Sequence, residues 1–300
     1  VASALHQDEG LTPGQPDYEL ALVIKDVAKI PKAIALVSEL VGIPPQEARK
    51  LICSSPAVLM GQLSQASVEA ISRRFQAIGV EVDVSQPEQS RFDLFIGECD
   101  ASSFAHALRA IRDAGIEVSS DQREGPLMIP ALDWEQSRKV WPALQRLAAP
   151  TRMLNQQFER YDLRLDEAPE TPAFIQHLME STGMPEAVAR KIPARTPITL
   201  HQSVPFHEMG PIMEAAAELG ASMSAHLLAF QKHALEITRM DRLDDTATLI
   251  QSMSELKADS ILPKLSRLPA RFEGPFTNTQ ARWLQTELKR IGTVAKVTTA

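Results

Sequence analysis

Cysteine and long apolar runs are both scarce in this chain of 300 residues. Its two cysteines, Cys53 and Cys99, are too few for a disulfide framework and fit a reducing compartment, so we expect a cytoplasmic location. No stretch approaches the roughly 20 apolar residues of a membrane-spanning helix, which predicts no membrane insertion within this segment. Residues 1–17 are polar and proline-containing, and we expect a linker or tail there, without a signal peptide.

Basic residues are also outnumbered by acidic ones. The chain holds 31 Lys+Arg against 38 Asp+Glu, for a formal net charge of −7 at pH 7. A general nucleic-acid binder needs basic surface to contact phosphates, so we expect no general nucleic-acid binding. The last part of the chain, residues 232–300, is slightly basic and is the one region that favours a nucleic-acid role.

Sequence motifs for catalysis are absent as well. There is no Gly-rich phosphate loop, no Gly-x-Ser-x-Gly elbow and no Cys-x-x-Cys pair. His207 and the glutamate after it resemble the start of a zinc-protease helix, but Pro211 occupies the place of the second histidine. Cys53 lies among apolar residues, which is typical of a buried thiol. We therefore predict that the chain is not an enzyme and holds no cofactor and no metal.

Aromatic residues make up 5% of the chain, and two of its three tryptophans are seven residues apart. Trp134 and Trp141 share one face of a predicted helix, in which Pro142 marks a kink or a boundary. Two interpretations stay open: packing in a core, or an exposed aromatic anchor for a partner.

The most informative feature present is an internal repeat without gaps, between residues 42–79 and residues 183–220. Nine identities recur 141 residues later, namely Gly42, Pro44, Ala48, Arg49, Lys50, Pro56, Leu59, Ile71 and Gly79, as Gly183, Pro185, Ala189, Arg190, Lys191, Pro197, Leu200, Ile212 and Gly220. Glycine and proline punctuate the backbone, so their recurrence predicts recurring turns and element ends.

The repeat extends to four units in a duplicated pair. We predict unit 1 over residues 18–86, a degenerate unit 2 over 91–157, unit 3 over 158–230 and unit 4 over 232–300. The predicted fold class is α+β, in which each unit is a three-stranded antiparallel sheet with helices on one face, in the order strand–helix–helix–strand–helix–strand. Unit 2 lacks the second helix in this interpretation. Units of about 70 residues have marginal cores, so we expect them to pack together in a rigid or semi-rigid assembly.

Unit 1 resembles the C-terminal domain of the bacterial ribosomal stalk protein. That family carries Gly-Leu-Gly-Leu-Lys-Glu-Ala-Lys between its first two helices, and here the stretch reads Gly42-Ile-Pro-Pro-Gln-Glu-Ala-Arg49. The later Ala77-Ile-Gly-Val-Glu-Val82 is similar to the family's Glu-Ala-Gly-Ala-Glu-Val ending. The resemblance covers residues 18–86, is weaker in unit 3, and implies the element order given above. The Clp-protease adaptor shares the fold that it implies.

The resemblance also implies a binding surface, because the stalk domain recruits translation factors through its helices. The lysine of the family's first helix aligns with Ala35, whereas the basic residue of its second helix is kept as Arg49. The fold is therefore carried over but the partner is not.

The repeated Ala-Arg-Lys is the best candidate for a functional surface. We predict that Arg49 and Lys50, with their counterparts Arg190 and Lys191, bind an acidic or oligomeric protein partner. The alternative interpretation is that they are solvated helix residues. The leading function is a non-catalytic protein-binding or scaffold module. Two alternatives stay open: a peptide-binding adaptor that delivers substrates to a protease, and a divergent enzyme with a cleft between units.

Overall fold

The chain forms four small sheets with helices packed against them. A computed structural model describes residues 17–54, 56–118, 126–254 and 256–299. These ranges contain four three-stranded antiparallel sheets and eleven α-helices, so the predicted fold class is confirmed. None of the described helices is long and apolar enough to cross a bilayer. The linker expected over residues 1–17 lies outside the described residues, apart from Asp17.

Unit 1 contains the six predicted elements in the predicted order. They are β1 (Tyr18–Val23), α1 (Ile30–Val41), α2 (Pro45–Cys53), β2 (Ala57–Leu63), α3 (Gln65–Ala77) and β3 (Glu81–Ser85). Helix α1 ends at Gly42, whose φ of 71° is the left-handed conformation that glycine adopts at helix C-termini. Ser64 caps α3, because its side chain accepts a hydrogen bond from the backbone N–H of Ser67.

Between the first two strands of unit 2, the described residues contain a single helix. Its elements are β4 (Phe92–Ile96), α4 (Ala101–Asp113), β5 (Leu127–Leu132), α5 (Trp134–Leu144) and β6 (Thr151–Asn155). Residues 116–118 are not helical, and the rest of the segment that replaces the second helix falls outside the described residues. Helix α5 contains Pro142 and ends two residues after it, at Leu144; the proline removes the backbone donor that would bond to Arg138.

Units 3 and 4 also follow the predicted order. Unit 3 comprises β7 (Arg160–Glu167), α6 (Pro172–Thr182), α7 (Glu186–Ala189), β8 (Ile198–Pro205), α8 (Phe206–Glu218) and β9 (Ser222–Leu227). Unit 4 comprises β10 (His233–Arg239), α9 (Leu243–Met253), α10 (Ala258–Leu265), β11 (Ala270–Phe276), α11 (Asn278–Arg290) and β12 (Val294–Thr299). Helix α7 is one turn long, because Pro193 stands where Ile52 continues α2 in unit 1.

In every sheet the first strand of the unit lies in the middle. The strand orders are β2-β1-β3, β5-β4-β6, β8-β7-β9 and β11-β10-β12. The pairing of the first strand with the second is interrupted by a register shift in each unit. Beside that shift, Gln62, Ala131 and Ser203 have positive φ values of 58°, 59° and 56°. The same bulge therefore recurs in units 1, 2 and 3.

Units 1 and 4 share one hydrophobic core. It joins Leu20, Ile52 and Phe75 of unit 1 to Leu235 and Leu284 of unit 4, all fully buried. Unit 2 has a core of its own, and the buried apolar residues of unit 3 form two smaller clusters. The first and last units are therefore the pair that pack most extensively.

In unit 3 the helical spacing of apolar residues predicts a stripe on α8, formed by Met209, Ile212, Met213, Ala216 and Leu219, and this stripe is only partly buried. Ala216 is buried, whereas Met209, Ile212 and Met213 are half-buried. They pack against the smaller of the two unit 3 clusters, which contains only three buried residues. The stripe therefore forms one face of α8 as predicted. It contains one buried residue, whereas α3 of unit 1 contains two.

The remaining contacts between units are largely polar. Asn155 of β6 donates from Nδ2 to Oγ of Ser85 on β3 at 2.8 Å, which joins unit 2 to unit 1. Arg160 of β7 forms an ion pair with Asp83 of β3 in which the Arg160 side chain is only 12% exposed. The rings of Phe95 and Phe230 lie 4.6 Å apart between their centroids. All four units are thus in contact.

Candidate functional site

The two predicted basic pairs have different surroundings. Arg49 and Lys50 lie in α2, where Arg49 is half-buried and Lys50 is exposed. Arg190 caps the C-terminus of the short helix α7, Lys191 follows it, and both are exposed. The structure does not bring the two pairs together into one patch.

Arg190 already has a carboxylate partner. Its Nε lies 2.9 Å and its terminal nitrogen 2.5 Å from Oε1 of Glu186, one helical turn earlier. The residue in the equivalent position of unit 1 is Pro45, which cannot form this ion pair. Within the four described ranges neither Arg49 nor Lys50 has a carboxylate within 4.0 Å. The repeat therefore preserves the basic residues but not their neutralisation.

Arg49 and Lys50 line a cleft between units 1 and 4, which we call the α2 cleft. Its volume is about 350 Å³. The first wall is α2; the second is formed by the end of α9 and the start of α11. Its principal lining residues are Arg49, Lys50, Cys53, Met253, Gln280 and Trp283.

The N-terminus of α11 is fixed against α2 by a threonine with two roles. Oγ1 of Thr277 donates to the backbone oxygen of Cys53 at 2.7 Å, across the two units. Oγ1 of Thr277 also accepts from the backbone N–H of Gln280 at 3.3 Å. In return, Oε1 of Gln280 accepts from the backbone N–H of Thr277 at 2.9 Å. This capping box sets the position of the second wall.

The apolar part of the cleft is supplied by Trp283, Met253 and Cys53. Trp283 is 7% exposed, and its indole Nε1 is buried without a hydrogen-bond partner in the described part of the chain. If the capping boxes of α11 and α5 are aligned, Trp283 corresponds to the exposed Lys139 of unit 2. The tryptophan wall is therefore a property of unit 4 and not of the repeat.

The surroundings of Cys53 favour the protonated form of its thiol. Burial raises the pKa of its thiol to about 12, although the positive charge of Arg49 lowers it in part. A thiol with this pKa stays protonated at neutral pH, and the thiolate is the reactive form. The cleft offers cations, amides and an indole, which suits recognition of an anionic surface.

The other residues singled out from the sequence lie outside the α2 cleft. Trp134 and Trp141 are half-buried and pack against the core of unit 2, as the core-packing interpretation predicts. His207 lies at the exposed start of α8. Over residues 17–54, 56–118, 126–254 and 256–299, no three His, Cys, Asp or Glu side chains are grouped as a metal site would require.

A second cavity, of about 60 Å³, lies where units 1, 3 and 4 meet. Its charged lining residues are Asp83, Arg160, Asp162 and Arg282. Asp83 and Arg160 neutralise each other, and Arg282 donates to the backbone oxygen of Lys25 at 3.4 Å. This cavity is smaller than the α2 cleft, and these contacts join the units.

Sequence reasoning found the two cations of the cleft, and Thr277 with Gln280 is predicted as a capping box, but Trp283 and the contact of Thr277 with α2 were missed. Both residues lie more than 220 residues from α2 in the chain, so no local pattern links them to Arg49. No protein-family model matches the chain, and no curated protein or solved structure matches it either.

Proposed function

We propose that the chain is a non-catalytic protein-binding module that receives an acidic segment of another protein in the α2 cleft. The observation that carries the proposal is that two cations, Arg49 and Lys50, line an inter-unit cleft and have no carboxylate within 4.0 Å among the residues that the structure describes. An uncompensated pair of cations attracts anionic groups, and an arginine can hold a carboxylate through two parallel hydrogen bonds.

The apolar wall narrows the class of partner. Trp283 and Met253 line the same cleft as the two cations. A segment with Asp or Glu next to an aliphatic or aromatic side chain matches both features, because the charged group reaches the cations while the apolar side chain contacts the indole. We infer that such a segment is preferred over one that is acidic throughout.

Two sequence features support a cytoplasmic binding role of this kind. Arg49 lies in the helix whose basic residue the stalk-like family presents to its partners, although the lysine of the first helix is replaced by Ala35. Cys53 and Cys99 are both free thiols, which fits a reducing compartment.

The test compares charge reversal in the two basic pairs. The variants are Arg49→Glu with Lys50→Glu, and, as a matched control, Arg190→Glu with Lys191→Glu. Each protein is used as bait in a cell lysate, and captured proteins are quantified against the unmodified chain. We expect the first variant to lose a set of partners that the control retains. Equal recovery with both variants would contradict the proposal.

A peptide titration identifies the cleft directly. In a Trp134→Phe, Trp141→Phe background, Trp283 is the remaining tryptophan and reports on the cleft. Acidic peptides with one aromatic residue should change its fluorescence at low salt and more weakly at high salt, because surface charges are screened. Peptides with Asn and Gln in place of Asp and Glu serve as controls. The same response to both peptide sets would exclude charge recognition.

A further inference from the structure

Two carboxyl groups are fully buried where the two halves of the duplication meet. Asp93 lies on β4 in the first half, and Glu159 immediately precedes β7 in the second half. Both residues have 0% of their surface exposed to solvent. Burial of a carboxylate is costly unless it is paired or hydrogen-bonded, so their partners decide what state they adopt.

Each carboxyl group has one oxygen with donors and one without. Oδ1 of Asp93 accepts from the backbone N–H of Ala131 at 2.8 Å and from Nε2 of Gln156 at 2.7 Å. Oε2 of Glu159 accepts from the hydroxyl of Tyr161 at 2.7 Å. Among the described residues, no donor reaches the other two oxygens, Oδ2 of Asp93 and Oε1 of Glu159.

A proton held between the two side chains would supply the missing donor. The carboxyl groups of Asp93 and Glu159 interact directly with each other. Two neighbouring carboxylates repel when both are ionised. A proton held by one carboxyl group turns it into a donor to the other, which satisfies both unpaired oxygens at once. The aspartic-protease dyad shows the same proton sharing between neighbouring carboxyl groups.

No cation neutralises this pair in the described ranges. Arg160 follows Glu159 directly, but its side chain pairs with Asp83 of β3 and donates to the backbone oxygen of Glu159. Helix α8 packs on the turn formed by residues 156–158, and all of its charged or titratable residues are exposed, namely His207, Glu208, Glu214 and Glu218. Among the described residues, Asp93 and Tyr161 are the groups that act on the carboxyl of Glu159.

We propose that a proton shared between Asp93 and Glu159 locks the two halves of the chain together, so that the junction of units 2 and 3 loosens as the solution becomes more alkaline. Asp93 is held to unit 2 through Ala131, and Glu159 to unit 3 through Tyr161. Loss of the proton leaves two buried negative charges facing each other across the junction.

The sign and range of the pH effect follow from Glu159. Burial raises the pKa of its carboxyl group from the usual 4.5 to about 7; the hydrogen bond from Tyr161 lowers it, and the charge of Asp93 raises it. Between these two values the folded chain binds one proton more than the unfolded chain. The stabilisation is therefore complete below about pH 4.5 and is lost as the pH rises through about 7.

The first test is a titration of the unmodified chain by NMR with ¹³C-labelled glutamate carboxyl groups. We expect one glutamate to titrate near pH 7 and to be absent from a Glu159→Gln sample. Glu19→Gln is the matched control, since Glu19 is a half-buried glutamate that is hydrogen-bonded to Asn155. That variant should keep the signal near pH 7. If all glutamates titrate near their usual value, the proposal is wrong.

The second test measures whether the proton holds the junction. Hydrogen exchange of the β4 and β7 amides is followed from pH 5 to pH 8, corrected for intrinsic rates. Relative to Glu159→Gln, the opening constant of the unmodified chain should rise by about tenfold per pH unit up to about pH 7. Parallel pH dependence in both proteins would overturn the proposal. If Glu159→Gln does not fold, the NMR titration of the unmodified chain decides alone.

Discussion

Thr277 is the residue that most directly joins unit 4 to unit 1. Its side chain both caps α11 and donates a hydrogen bond to the backbone of Cys53 in α2. Asp133 has only the first of these roles, because it caps α5 with the same box of hydrogen bonds through Gln136. The comparison of the two caps separates the helix contribution from the contact between units.

Replacement of each cap by alanine tests this difference. Thr277→Ala should lower the free energy of unfolding by about 1–3 kcal/mol, since a cap contributes about 1 kcal/mol and an inter-unit hydrogen bond adds a similar amount. Asp133→Ala should cost about 1 kcal/mol from the cap alone. Urea denaturation measures both values. Thr277→Ser is the conservative control and should stay close to the unmodified chain; equal losses in the two alanine variants would contradict the second role of Thr277.

Most elements could be predicted from the sequence because their signals are local. Gly42 and Gly183 end helices α1 and α6 with φ values of 71° and 70°. The shortening of α7 by Pro193 is also a local effect, although the repeat favoured a longer helix. A change in the offset between the repeats of units 1 and 3 was harder to see in the sequence. The offset is 141 between Met60 and His201 but 143 between their partners Leu20 and Leu163, because the loop after β1 is longer than the loop after β7.

The bulge in the second strand of unit 3 imposes a backbone conformation whose energetic cost can be measured at Ser203. Its φ of 56° lies in the left-handed region, which a β-branched side chain adopts with strain. Ser203→Val should therefore be less stable than Ser203→Gly by about 1–2 kcal/mol. Thermal denaturation gives the comparison, with Thr199→Val and Thr199→Gly on the same strand as controls. If valine equals or exceeds glycine at Ser203, the bulge does not impose this conformation in solution.

The pairing of units 1 and 4 is a property of the whole molecule that the sequence did not reveal. The small size of each unit predicted that the units pack together, but not which ones. Trp283 and Leu284 contribute to a core whose unit 1 members lie more than 200 residues earlier. The proton-sharing pair was hidden for the same reason, because Asp93 and Glu159 become neighbours only after the two halves have folded.

Hydrogen exchange tests the shared core. Leu284→Ala removes a fully buried side chain of unit 4 and should cost about 2–5 kcal/mol. Because the core is continuous, amides of β1 in unit 1 should lose protection together with amides of β10. Leu94→Ala, in the separate core of unit 2, is the matched control and should affect β4 while sparing β1. Unchanged β1 protection in Leu284→Ala would show that units 1 and 4 unfold independently.

The shared core also determines how the molecule responds to mechanical tension. Tension applied between Tyr18 and Thr298 passes directly from unit 1 into unit 4 through their common interior. Units 2 and 3 lie on the covalent path between those points but carry no force while that interior holds. A single-molecule extension trace should therefore begin with one large rupture at the interface, followed by the extension of the two middle units.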